Sequence, residues 1–220
     1  MKKNRLLVIT CSITALLLIF GYTEKQPKIL IIGDSISLGY TSTVKEMLKD
    51  KAIVSHNKGN AKHSGYGLEN LETWIQKDDY DIIQFNWGLW DLCYRHPESK
   101  VQGNRDKING TITFSLEEYE QNLEAIVRLL KEKTNAKLIF VTTSYVPKEE
   151  AGRFTKDARK YNKVAKKVMK KYSVQVNDIY KKSKPIHKKY GQGNNDVHYQ
   201  KKGYQELGKV IATYLEDEIR

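Results

Sequence analysis

Short β-branched runs alternate with longer stretches of helical spacing along most of the chain, and that rhythm admits few folds. A run such as 28–32 (KILII) offers no polar side for water, so it belongs in a sheet covered on both faces. Further strands are expected at 52–56 (AIVSH), 81–86 (DIIQFN), 136–143 (AKLIFVTT) and, shorter, at 174–176. Helices are expected soon after Asp34, over 68–76, over 154–172 and from 203 to about 218. Another follows Ser115-Leu116-Glu117-Glu118, which has the spacing of a capping box and leads into a stripe of Leu123, Ile126, Val127 and Leu130. The polar, aperiodic stretch 97–113 reads as a mobile insertion. A chain of 220 residues with no internal repeat or linker makes one α/β domain of ordinary size behind a short appendage.

That appendage, residues 1–25, opens with Lys2, Lys3 and Arg5 and continues as an uncharged, mostly apolar run over 6–20. This is the shape of a secretory signal peptide, or of an N-terminal anchor if it is not removed. The run is short for a spanning helix, which needs about 20 residues. Cys11 comes too early in it, and after too poor a lead-in at Thr10, to favour acylation. An exported protein is expected, whether periplasmic, secreted or anchored. Cys93 is then the one cysteine of the mature chain and reads as a half-buried thiol without a disulfide partner.

The net charge of +12 is local. Residues 151–190 carry 14 Lys or Arg against 2 Asp or Glu, and the other 180 residues balance. Along 154–172 the basic residues lie off the apolar stripe, as on a solvated helix face or on a face that meets an anionic envelope polymer or membrane surface. Nucleic acid is disfavoured, since no recognised binding motif is present and an exported chain seldom meets it.

Two short stretches carry chemistry. After the first strand comes Gly33-Asp34-Ser35-Ile36-Ser37, where a tight turn would present the Ser35 hydroxyl at the carboxyl edge of the sheet; the same tripeptide would also serve as a plain helix N-cap. Near the other end, Gly191-Gln192-Gly193-Asn194-Asn195-Asp196-Val197-His198-Tyr199 places an acid and a histidine on one loop before the last helix. A hydroxyl nucleophile needs a base near neutral pKa, and that base needs an acceptor to set its tautomer. Packing or capping of the last helix is the other reading of His198.

Together these blocks resemble the SGNH, or GDSL, hydrolases, with the likeness running from Lys28 to about Leu215. The resemblance implies a single three-layer α/β/α domain over 26–220, with a mostly parallel, five-stranded, flavodoxin-like sheet. It implies Ser35 as nucleophile, with its own amide in the oxyanion hole, and His198 as base. Gly203-Tyr204 completes the terminal block. Two departures stand out. The acid is usually three residues before the histidine, where this chain has Asn195; Asp196 is two before. Loss of that carboxylate costs about 10⁴ in rate in a serine protease. The third block usually reads Gly-x-Asn-Asp, but here Asn86-Trp87-Gly88-Leu89-Trp90-Asp91 puts Trp90 where the oxyanion asparagine belongs. Asn86 shares a strand face with residues 88 and 90, so its amide is a candidate in its place. The second block offers Gly59, which we prefer, or Gly65. The rewritten FNWGLWD block marks a branch of the family.

The resulting expectation is a serine ester hydrolase working through an acyl-enzyme, with Ser35, His198 and Asp196 catalytic and Gly59 and Asn86 holding the oxyanion. No cofactor is called for. No metal is implied, because His56, His63, His96, His187 and His198 are scattered with no helical i, i+4 pair. Trp87 and Trp90 suit stacking on a sugar, lining an acyl pocket, or packing under the loop. Short acyl esters, acetyl above all, of a carbohydrate or envelope glycan are favoured over the esters of a lipase or lysophospholipase. A non-catalytic exported module binding an acidic polymer through 151–190 is the alternative of a different class.

Overall fold

In this computed structural model residues 25–219 are described, so the expected leader, Lys25 apart, and Cys11 lie outside them. The chain runs β1 (Lys28–Ile32), α1 (Ser35–Leu48), β2 (Ile53–His56), α2 (Ser64–Ile75), β3 (Ile82–Phe85), β4 (Tyr94–Arg95), β5 (Thr111–Ile112), α3 (Leu116–Lys133), β6 (Lys137–Val141), α4 (Thr155–Lys171), β7 (Gln175–Asn177), α5 (Tyr180–Tyr190) and α6 (Lys201–Glu218). Five strands form one parallel sheet in the order β2-β1-β3-β6-β7. Every residue of β3, and all of β1 and β6 beyond their first, is buried, as a sheet covered on both faces requires.

The order places the helices. From β1 the chain moves outward to β2 and then crosses back over β1 to β3, so right-handed crossovers put α1 on one face and α2, α3 and α4 on the other. Contacts agree: α6 packs on α1 and α5 on α6, while α2 meets α3 and α3 meets α4. The reversal between β1 and β3 opens a crevice at their carboxyl ends, the usual ligand position in such sheets.

Several local readings sharpen. Helix α2 starts at Ser64, earlier than its apolar stripe suggests, because the His63 ring caps it by accepting from the Tyr66 amide. Ser115 and Glu118 close the expected capping box. Helix α5 is not visible in the periodicity: it lacks a side-chain N-cap, contains Pro185 and buries few residues besides Ser183 and His187. The stretch 97–113, expected to be a mobile insertion, is tied down. It is bracketed by the small β4–β5 ladder, turned by Asp106 accepting from the amides of Ile108 and Asn109, and closed by the Thr113 amide on the Cys93 carbonyl. Cys93 is fully buried rather than half-buried, and burial raises its thiol pKa.

Helices α1 and α6 approach closely because each presents a glycine to the other. A Cβ on Gly39 would stand 2.2 Å from Tyr204 Cε1, and one on Gly208 would stand 2.7 Å from Thr43 Cβ. Gly39→Val should therefore destabilise by about 1–3 kcal/mol, with a Tm lower by roughly 3–10 °C in thermal unfolding. An unchanged Tm would mean that the interface gives way at no cost.

Candidate active site

The first strand ends at the sheet edge and the chain turns at Gly33 and Asp34 into α1. A Cβ on Gly33 would lie 2.7 Å from Ser37 Oγ, so no larger residue fits the turn without displacing that side chain. Asp34 is the N-cap, its carboxylate accepting from the Ile36 amide at 2.9 Å; burial raises its pKa and this hydrogen bond opposes the rise. The Ser37 hydroxyl donates to the Asp34 carbonyl at 2.7 Å, and His56 Nε2 lies 2.7 Å from the same oxygen. Both expected roles of the tripeptide are thus present, with Asp34 capping and Ser35 at the first helical position. There the Ser35 amide has no intrahelical acceptor.

Ser35 Oγ lies 2.9 Å from His198 Nε2, across 163 positions of sequence. His198 Nδ1 lies 2.5 Å from Asp196 Oδ1, and the His198 amide donates to the same oxygen at 2.9 Å. A carboxylate only accepts, so Nδ1 carries the proton and Nε2 is left to accept from the serine. Burial works against charge on Asp196, but the bonds from the His198 amide and ring outweigh it and hold the pKa below the usual carboxylate range. Asn195, in the position where the family usually has its acid, is exposed; the side chain that meets the ring is Asp196.

The loop that presents His198 is anchored from below. His187 Nε2 lies 2.7 Å from the Asp196 carbonyl, the Gln192 amide donates to the His198 carbonyl, and the His187 ring packs edge-on against Tyr199. Burial lowers the His187 pKa, which suits a neutral ring donating one hydrogen bond.

Ser35 and His198 open onto a cavity of about 490 Å³, which Asn60, Leu89 and Trp90 also line. Gly59 lies in the turn just before Asn60, with φ +76°, the left-handed region that favours glycine; Gly65 sits in the first turn of α2 against Phe114. Asn86 is not on the wall that holds Ser35 and His198. Its side-chain amide donates to the Val141 carbonyl at 2.6 Å beneath the turn, because a buried amide at the end of β3 must find a partner there. The two tryptophans divide. Trp87 is core, 1% exposed, with its indole N–H on the Ala61 carbonyl, whereas Trp90 is partly exposed on the cavity with Arg95 stacked over it at 4.8 Å.

Three arginines of the cavity, Arg95, Arg105 and Arg153, are not marked as site residues by the sequence. Arg153 was counted among the basic residues of 151–190, yet it is 5% exposed and donates to the Leu89 carbonyl and to Glu150. The available signal was its position before the α4 periodicity begins, three residues after Glu150. Among the described residues no group of three or more His, Cys, Asp or Glu side chains is placed to hold a metal ion.

A strand–turn–helix serine facing a histidine at the switch point of this parallel sheet has the architecture of an SGNH-type hydrolase. The sequence pattern of the GDSL-like Lipase/Acylhydrolase family matches residues 31–206, so the chain belongs to that family and is an ester hydrolase. Among solved structures, a lipase/acylhydrolase from Enterococcus faecalis superposes with a TM-score of 0.69 at 20% identity, covering 88% of this chain and 97% of its own. An acetylxylan esterase from Geobacillus stearothermophilus gives 0.66 at 18% identity over 85% and 93% of the two chains. A further acetyl xylan esterase gives 0.65 at 16% identity over 86% and 99%. No curated protein matches the chain in sequence.

One wall of the site depends on a buried acid. Asp91, at the end of the FNWGLWD block, accepts from the amide and hydroxyl of Ser64, fastening this loop to the start of α2, while its Oδ2 is buried without a partner among the described residues. Burial pushes its pKa from 3.8 up to about 6. A folded-state pKa above the unfolded one gives stability that is full below pH 3.8 and lost as pH rises through about 6. Two units correspond to about 3 kcal/mol. In urea unfolding, the stability of wild type relative to Asp91→Asn should fall by about that much between pH 4 and 7; a flat difference would refute the assignment.

Proposed function

We propose that this ester hydrolase works through a serine acyl-enzyme and takes short acyl esters, acetyl above all, of a carbohydrate or envelope glycan. The observation that carries the reading is the continuous line Ser35 Oγ, His198 Nε2, His198 Nδ1, Asp196 Oδ1, with steps of 2.9 and 2.5 Å. In the proposed cycle Ser35 Oγ attacks the carbonyl carbon and gives its proton to Nε2. Asp196 stabilises the imidazolium. The tetrahedral oxyanion is held by the Ser35 amide at the start of α1, where the helix dipole also favours negative charge, and by the Gly59–Asn60 turn. His198 returns its proton to the departing alcohol. It then takes one from the water that attacks the acyl-enzyme and passes it to Ser35 Oγ as the carboxylic acid leaves, which restores both groups.

Substrate size follows from the walls. Around Ser35 they are mostly polar, with Leu89, Trp90 and Val197 the apolar exceptions, which suits a small acyl group and a polar alcohol better than a long chain. The fold shared with two acetylxylan esterases supports the same choice. The charged and apolar run at the N-terminus supports export. Along α4 and α5, Lys163, Lys170, Lys181 and Lys188 are exposed, which suits contact with an anionic envelope surface.

The test is chemical. A fluorophosphonate probe should label wild type, and neither Ser35→Ala nor His198→Ala. Asp196→Asn should lower kcat by about 10³ to 10⁴ with KM little moved, while Asn195→Ala should change it by no more than a few-fold. Across p-nitrophenyl esters, kcat/KM should fall from acetate to octanoate. Unlabelled wild type would sink the serine mechanism, and a rise with chain length would sink the acetyl preference.

A further inference from the structure

The cavity that holds Ser35 is also lined by three guanidinium groups. Arg105 and Arg153 converge on one carboxylate: Glu150 Oε1 takes 2.8 Å bonds from both, and its Oε2 accepts from the Gly152 amide. Glu150 is fully buried and Arg153 nearly so, with Arg105 little exposed. One negative charge thus faces two positive charges in a poorly solvated place. Arg95 adds a third, stacked over Trp90 and donating to the Gly103 carbonyl.

Two other carboxylates bear on these cations, and both are already engaged. Asp34 lies within electrostatic reach of Arg153, but its side chain caps α1 at the Ile36 amide. Asp196 feels Arg105, but its Oδ1 holds the His198 ring. The bonds described leave further N–H donors on each guanidinium without a protein acceptor among the described residues. Guanidinium N–H groups held in a poorly solvated wall without a protein acceptor are donors that an anion can satisfy.

The groove continues past these arginines. A second cavity, of about 850 Å³, shares Trp90, Arg95 and Gly103 with the first and is also lined by Lys62, His63 and His96, with no acidic residue on its wall. The part of a substrate that extends this way lies beyond the small acyl group at Ser35 and therefore belongs to the alcohol.

From this wall we infer that the ester is carried on an anionic alcohol, a polyol or sugar bearing a carboxylate or a phosphate, whose anion is received by Arg95, Arg105 and Arg153 beside Trp90. Planar guanidinium forks suit both anions. The inference rests on the assignment of Ser35 as the reacting centre. It concerns which ester is chosen and adds no chemical step.

The experiment compares kcat/KM for acetate release from an acetylated neutral sugar, an acetylated uronic acid and an acetylated glycerol phosphate. At least one anionic ester should exceed the neutral one by about 10-fold or more, and the better of the two identifies the anion. Arg95 is the arginine to change, because it is not bonded to Glu150. Arg95→Gln should bring the anionic-to-neutral ratio down by about 10-fold, and Arg95→Lys should restore part of it; reading a ratio cancels any general loss of activity. If these variants fail to fold, wild type still decides: raising NaCl from about 20 mM to about 500 mM should lower turnover of the anionic ester and leave the neutral one nearly unchanged.

A wild-type ratio near one, a ratio unmoved by Arg95→Gln, or the same salt response for both esters overturns the inference. Failure here is separable from failure of the serine mechanism. A protein labelled at Ser35 that shows no anionic preference loses only the anionic alcohol. A protein whose activity survives Ser35→Ala loses the serine mechanism, while its substrate ratio still reports on the arginines.

Discussion

Everything at the site depends on how closely α6 lies on α1. Ser35 opens α1 and His198 sits just before α6, so the distance between them is set by two helix starts, not by any local turn. The glycines at 39 and 208 let the two helices approach until side chains of one touch the backbone of the other, and Tyr204 fills the space over Gly39. Close packing leaves few ways for such an interface to shift, which is what a 2.9 Å contact across 163 positions requires. Each partner is then steadied locally: Ser35 by the Asp34 cap, and His198 by Asp196 and by the bond from His187 to the loop carbonyl.

Charge in this protein is divided between two environments. Most of the basic residues of 151–190 are exposed lysines, and four of them pair with Asp157, Asp178, Glu120 and Glu124. Such pairs contribute little each and are screened by salt. Arg153 belongs to the same stretch in sequence and to the opposite environment in space, since it is buried in the wall of the cavity that holds Ser35, with Glu150 shared between it and Arg105. A residue count treats these cations alike. Solvation separates them, and solvent screens the buried ones less than the exposed lysines.

Much of the fold was legible in the sequence because a doubly covered parallel sheet writes continuous apolar strands and amphipathic helices. The first strand was read to the residue, and the capping box at Ser115 formed as its spacing implied. Where the reading fell short, a tertiary contact had replaced the local signal. Helix α5 has little apolar stripe of its own and is held by packing on α6, and the loop over 97–113 is ordered by bonds to distant carbonyls. In the site, residue types predicted that Ser35 and the Asp196–His198 pair would meet. Asn86 was read as sharing a strand face with the site, but its amide turns down to Val141, because satisfying a buried polar group outweighs the strand alternation.

By itself, then, the sequence determined the class of fold, the order of the five strands of the main sheet and of most helices, and the serine, acid and histidine that the site brings together, since these rest on periodicity and on residue chemistry. Tertiary structure decided which acid orients His198, that Trp90 and not Trp87 faces the cavity, and that Arg95, Arg105 and Arg153 gather around it. Those choices turn on burial and on distances between residues far apart in the chain, and no local pattern encodes either.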